Sequence, residues 1–210
     1  MPFFQNSVQN KYLRQLDDKL VNQAYQKYSA YFLNAEIQEN IHNSKEEQFQ
    51  EGFLRELFVN ILGYSINPTP GYNLTTELKN EKGAKKADGA ILKDGKAIGV
   101  IELKGTDTTD LEKVKEQAFN YKNNQSNCVY VITSNFEKLR FYIHNAVDHI
   151  EFNLFTLSID QFKELWLCLH SNSIFSDIPL KIKEESSAAE ENITKKFYKD
   201  YSAFSKPPSI

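Results

Sequence analysis

Apolar residues recur at helical spacing along residues 11–36, at Leu13, Leu16, Leu20, Ala24, Tyr28, Tyr31 and Phe32, with Asp, Lys, Asn and Gln on the other face. This pattern predicts one long amphipathic helix. A second helix is expected over residues 44–62. Ser44 serves as its N-cap, Glu47 closes a capping box three residues later, and Gly63 is the stop. Pro68, Pro70 and Gly71 then mark a loop. Residues 73–78 read as a strand and residues 81–85, with Gly83, as a polar turn. Strands at 87–92 and 97–103 flank Lys93-Asp94-Gly95-Lys96, whose Asp-Gly pair signals a tight hairpin. Helical spacing returns over 109–123 through Leu111, Val114, Ala118 and Tyr121, with Asp107 or Thr108 as cap.

Residues 128–132 form a short apolar run, expected as a buried strand, and 138–143 alternate as another. Phe152, Leu154 and Thr156 fit an edge strand, and 160–169 a helix capped by Asp160. Residues 184–191 are charged and rich in small residues, which reads as a linker. Phe197, Tyr201 and Phe204 then recur at helical spacing with nothing left to pack on. The expected fold is α/β (α+β), with a mixed central sheet flanked by helices and preceded by the long N-terminal helix. Residues 1–183 form the expected domain, and 184–210 a linker with the start of a helical connector.

Composition narrows the class. Hydrophobic residues are 40% of the chain and charged residues 25%, so 210 residues can bury a core without disulfides. Cys128 and Cys168 lie far apart in apolar surroundings and outside any ligand spacing. They are expected as reduced, buried thiols of a cytoplasmic protein. No signal peptide and no membrane span are expected. The net charge of −3 is not the basic balance of many nucleic-acid binders, but DNA binding needs only a local basic face. No histidine has ligand spacing. No phosphate-binding glycine loop appears, which excludes ATP-driven translocation from this segment.

The chemistry concentrates on the third strand. Alternation puts Ile98, Val100, Glu102 and Lys104 on one face. Two charges thus follow two apolar residues on a face turning toward the core, where a charge is costly unless paired or bound to a metal. With the turn centred between Asp94 and Gly95, Leu92 faces Ala97, and Asp88 falls opposite residues 100–102. Asp88 and Glu102 offer hard oxygen ligands for Mg²⁺, with Mn²⁺ as a substitute. Lys104 suits an attacking water or the charge gathering on a phosphate. The alternative is a surface hairpin with a solvated Glu-Lys pair.

Asp88-Gly89-Ala90-Ile91 followed by Gly99-Val100-Ile101-Glu102-Leu103-Lys104 resembles the PD-(D/E)xK nuclease core, with Ala87 in place of the proline. The resemblance implies a restriction-endonuclease-like fold and Mg²⁺-dependent DNA cleavage, with Asp88 and Glu102 as metal ligands and Lys104 as a catalytic residue. Gln117-Ala118-Phe119-Asn120-Tyr121 is similar to the QxxxY pattern of related nucleases. It implies DNA contacts by Gln117 and Tyr121, or else a core tyrosine beside a solvated glutamine. Relatives also contribute a glutamate from the preceding helix. Glu47 is the first expectation and Glu51 the second, both on one face, with Glu46 off it. Lys86, with Lys82 and Lys85, forms a small basic cluster suited to phosphates. The nearest resemblance is to the N-terminal nuclease domain of type IIG restriction–modification enzymes. It implies double-stranded DNA as partner, with a covalently linked methyltransferase and target-recognition region not contained in this chain. A catalytically inactive DNA-binding or scaffolding domain is the alternative; an intracellular protein–protein module leaves Gln117 and Tyr121 unexplained.

Overall fold

The computed structural model describes residues 3–79 and 86–204. The polar turn expected at 81–85, with Lys82 and Lys85, lies outside the described residues. Six strands form one sheet in sequence order: β1 (Leu74–Lys79), β2 (Lys86–Lys93), β3 (Lys96–Leu103), β4 (Tyr130–Ser134), β5 (Lys138–Ile143) and β6 (Ile150–Asn153). Neighbours are antiparallel except β3 and β4. That parallel pair needs a crossover, and the helix expected after the third strand supplies it. The fold is therefore mixed α/β with a mostly antiparallel open sheet.

The N-terminal region is not one helix but three: α1 (Asn6–Leu13), α2 (Asp18–Phe32) and α3 (Ala35–Asn43). Two caps interrupt the periodic pattern. Asp17 Oδ1 accepts from the Lys19 and Leu20 N–H groups, and Asn34 Oδ1 from those of Glu36 and Ile37. Each satisfies orphan donors of a new helix, which favours restarting over continuing.

The next helix, α4 (Glu46–Phe53), has Lys45 rather than Ser44 as its N-cap, and the Lys45 N–H donates to Gln48 Oε1 at 2.9 Å. Ser44 instead ends α3, its hydroxyl donating to the Asn40 carbonyl at 2.8 Å. A π-helical segment, Leu54–Ile61, continues α4, and Gly63 stops it with φ of 75°. Gly89 matters to this packing, because a Cβ there would sit 3.3 Å from Leu54 Cδ1. Its bare backbone lets the π-helical segment lie on β2, which sets α4 beside the neighbouring Asp88.

The remaining helices are α5 (Leu111–Asn123), α6 (Ile159–Leu169), α7 (Ser171–Phe175) and α8 (Ile178–Phe204). The caps of α5 and α6 are Asp110 and Ser158 rather than the expected Asp107 or Thr108 and Asp160. One face of the sheet, including Ile91, Ile101, Leu103, Ile132 and Phe141, joins a large core with the N-terminal and C-terminal helices. The other face holds a smaller core beneath α5: Ala87, Val100, Val131 and Tyr142 against Ala118 and Tyr121. Both cysteines are buried and free.

The stretch expected as a linker, 184–191, is helical and lies within α8. Its beginning is docked on the N-terminal region. Buried Ser186 accepts the Gln5 N–H at 2.9 Å, and Glu185 accepts from the Tyr12 hydroxyl at 2.7 Å. Ile193, Phe197 and Tyr201 further along are exposed; the Phe204 side chain lies outside the description. Among the described residues no helix is long and apolar enough to cross a membrane.

Candidate active site

The hairpin between β2 and β3 builds the site. Asp94 and Gly95 both adopt positive φ, 51° and 75°, the pair of left-handed positions that a two-residue turn needs. Leu92 pairs with Ala97 as expected, but the register then slips, so that Ile91 pairs with Gly99 and Gly89 with Ile101. Ile98 is therefore an extra residue in β3, a β-bulge. One further step of this register sets Asp88 across from Glu102. Without the bulge, Asp88 would oppose Ile101, and Glu102 would point to the other face.

The Asp88 side chain crosses to β3, where its Oδ2 accepts the Leu103 N–H at 2.8 Å. Glu102 is 1% exposed, and its Oε2 is buried without a hydrogen-bond partner. The Lys104 ammonium closes the cluster. It donates to the Leu103 carbonyl at 2.8 Å, to Glu102 Oε1 at 3.0 Å and to Glu46 Oε1 at 3.2 Å.

The electrostatics follow from burial. Glu102 is pushed up to about 7, first by burial and then by the negative charge of Asp88, with Lys104 opposing both. Asp88 is also raised by burial, against the pull of the Leu103 N–H and of Lys104. Burial draws Lys104 down, but Glu102, Asp88 and Glu46 together outweigh it and hold its pKa above the usual lysine value. A buried and a half-buried carboxylate that resist ionising together call for a cation.

Lys104 supplies one positive charge. The donor set also fits a hard divalent ion: oxygens of the Asp88 and Glu102 carboxylates, and the Leu103 carbonyl beside Lys104. As the side chains stand, no group of three or more His, Cys, Asp or Glu among the described residues is arranged to hold a metal. A metal at this site requires the Lys104 ammonium to withdraw from Glu102.

The structure thus brings Asp88, Glu102 and Lys104 together. The glutamate that reaches them from α4 is Glu46, not Glu47. Glu47 is exposed, and Glu51 pairs with Arg55 at 2.7 Å. The cause is the packing of α4: Glu46 shares a helix face with Phe49 and Phe53, whose rings pack on Phe136 in the core. The signal was the spacing of Glu46 from Phe49 and Phe53, three and seven residues on.

On α5, Gln117 is exposed and Tyr121 buried, and the Gln117 amide donates to the Tyr121 hydroxyl at 3.2 Å. Only Gln117 is placed to meet a ligand in solution. Lys86 is exposed and paired with Glu77 at 2.7 Å. A cleft of about 310 Å³ between Tyr12, Leu16, Trp166 and His170 shares no residue with the cluster. Its one carboxylate, Asp17, is already committed to capping α2, so it offers no comparable chemistry. No protein-family model, curated protein or solved structure matches the chain, and the candidate site stands on its own geometry.

Proposed function

We propose that this chain is a divalent-metal-dependent DNA endonuclease domain with a restriction-endonuclease-like core, the nuclease portion of a type IIG-like restriction–modification enzyme. One observation carries the reading: the bulged hairpin turns Asp88 and buried Glu102 toward each other, with Lys104 between Glu102 and Glu46. The restriction–modification context and the double-stranded DNA partner rest on the motif resemblance. So does the linked region for methylation and target choice.

Asp88 and Glu102 would hold Mg²⁺ or Mn²⁺, and Glu46 would add a third negative charge at the rim. When bound, the ion polarises the phosphodiester and acidifies a water. The chain's own residues do the rest. The Leu103 N–H fixes the Asp88 carboxylate. Lys104, released from Glu102, meets the scissile phosphate and stabilises the negative charge that grows as water attacks phosphorus and one P–O ester bond breaks. Gln117, steadied by Tyr121, is the DNA contact on α5, and Lys86 can exchange Glu77 for a phosphate.

The alternative, an inactive domain with the same fold, is favoured by the Lys104 contacts themselves, because an ammonium among three oxygens is also a satisfied structural ion pair. Plasmid nicking separates the two. The protein at high concentration should cut DNA with Mn²⁺ or Mg²⁺ and not in EDTA, and Asp88→Asn, Glu102→Gln and Lys104→Ala should each abolish cutting. No cleavage in either metal, or cleavage by all three variants, rejects the enzyme.

A further inference from the structure

Glu102 Oε2, Thr133 Oγ1 and the Tyr142 hydroxyl are three buried polar atoms that lack a hydrogen-bond partner. Buried polar atoms are rarely left unpaired, since each then forfeits its hydration with nothing in return. These three are neighbours. Glu102 and Thr133 are direct partners in the parallel β3–β4 ladder, and such partners share a face. Thr133 pairs with Arg140 on β5 and Val131 with Tyr142, so Tyr142 lies diagonally from Thr133 on that same face, within the core beneath α5. Thr133 and Tyr142 are fully buried. The Tyr142 hydroxyl is raised by burial, while nearby Arg140 and Thr133 both lower it, yet neither meets the distance and angle of a formed hydrogen bond.

For the ionised form of Glu102, the donor inventory admits one assignment that satisfies all three. An ionised carboxylate only accepts, whereas each hydroxyl both donates and accepts. Tyr142 donates to Thr133, and Thr133 donates to Glu102 Oε2. With Glu102 ionised, the reverse direction would leave it without a donor.

We propose that Thr133, backed by Tyr142, is a positioning residue for Glu102: a buried hydroxyl relay that holds Oε2 and leaves Oε1 for Lys104 or a cation. Its consequence for metal binding rests on the proposed function, but the relay itself does not. The division of labour explains why a threonine interrupts the apolar run of β4. Valine would fill the same volume and remove the only side-chain donor next to Oε2 on that strand.

Two measurements test it. The first is a thermal-melting cycle in EDTA with Thr133→Val, Glu102→Leu and the double variant. Thr133→Val should lower Tm more in the wild-type background than in the Glu102→Leu background, where Thr133 has no carboxylate left to hold. An equal drop in both backgrounds overturns the relay. The second is Mn²⁺ titration by calorimetry. Thr133→Val should bind about tenfold more weakly, in the range for loss of an outer partner of a metal ligand. Tyr142→Phe should lose less, and Thr133→Ser should bind like wild type. Unchanged affinity in Thr133→Val overturns the positioning role, and this arm still decides if Glu102→Leu does not fold. Coupled melting with no Mn²⁺ binding by the wild type would keep the relay and reject the metal reading instead.

Discussion

Asp88 and Glu102 oppose each other because Ile98 is an extra residue between two ladder pairs, Leu92 with Ala97 and Ile91 with Gly99. Burial raises both carboxylates above their usual values, and at Glu102 the negative charge of Asp88 adds to it. Function and stability therefore pull in opposite directions here. Asp88→Asn keeps an oxygen to accept the Leu103 N–H and removes the repulsion. In EDTA at pH 8 its Tm should rise, by an amount equivalent to roughly 1 kcal/mol. Its Tm should no longer respond to Mg²⁺. A lower Tm in EDTA would show that Asp88 stabilises the fold through Lys104 more than it opposes Glu102.

Glu102 also gives a pH dependence. Its folded pKa of about 7 lies above the ordinary 4.5, so the folded state holds its proton more tightly than the unfolded chain. Its contribution is fully present below pH 4.5 and is lost as pH rises through 7. The displacement corresponds to roughly 3 kcal/mol at most, shared with its coupling to Lys104. Urea midpoints in EDTA should fall between pH 5 and 8, and Glu102→Gln should flatten the profile. Saturating Mg²⁺ should flatten it as well, since a bound cation favours the ionised carboxylate. A wild-type midpoint rising over this window in EDTA would contradict the assignment.

The α4 glutamates give a paired comparison. Glu46 reaches Lys104 at 3.2 Å, whereas Glu47 is exposed. Glu46→Gln should reduce plasmid cleavage at least tenfold, a loss of about 1.4 kcal/mol in transition-state stabilisation, and Glu47→Gln should leave it unchanged. Equal rates for the two variants would remove α4 from the site.

These residues also mark what was legible in the sequence. The hairpin turn and the β3–α5–β4 crossover follow from turn chemistry and period, and the Asp88–Glu102–Lys104 set from the motif spacing. The bulge does not, because residues 97–101 are apolar throughout and either register buries them equally well. Glu46 was hidden because the Ser44–Glu47 capping pattern pointed to Glu47, whereas the inward face set by Phe49 and Phe53 carries Glu46, about 100° away on the helix. The breaks before Asp18 and Ala35 were hidden because the apolar spacing runs straight across caps at Asp17 and Asn34. Thr133 and Tyr142 carry no motif. Their relation to Glu102 exists only once β3, β4 and β5 are in register.

The last prediction concerns His170, remote from the candidate site. It is 8% exposed, and its ring stacks on Trp166 with centroids 3.9 Å apart and planes at 12°. Burial lowers its pKa from 6.5 to about 4. A depressed histidine is neutral in the folded protein and charged in the unfolded chain at mildly acid pH. Its contribution is therefore present above pH 6.5 and lost as pH falls through 4. Desolvation alone would make this roughly 3 kcal/mol. An imidazolium stacked on an indole returns about 1–2 kcal/mol, so the net loss should be on the order of 1–2 kcal/mol. His170→Phe keeps an aromatic face on Trp166 and cannot titrate. Compared by urea unfolding, the variant should match wild type within about 1 kcal/mol at pH 7.5 and exceed it near pH 4.5. A constant difference between the two proteins from pH 7.5 to 4.5 would show that the imidazolium is accommodated in place, with Trp166 and solvent offsetting its burial.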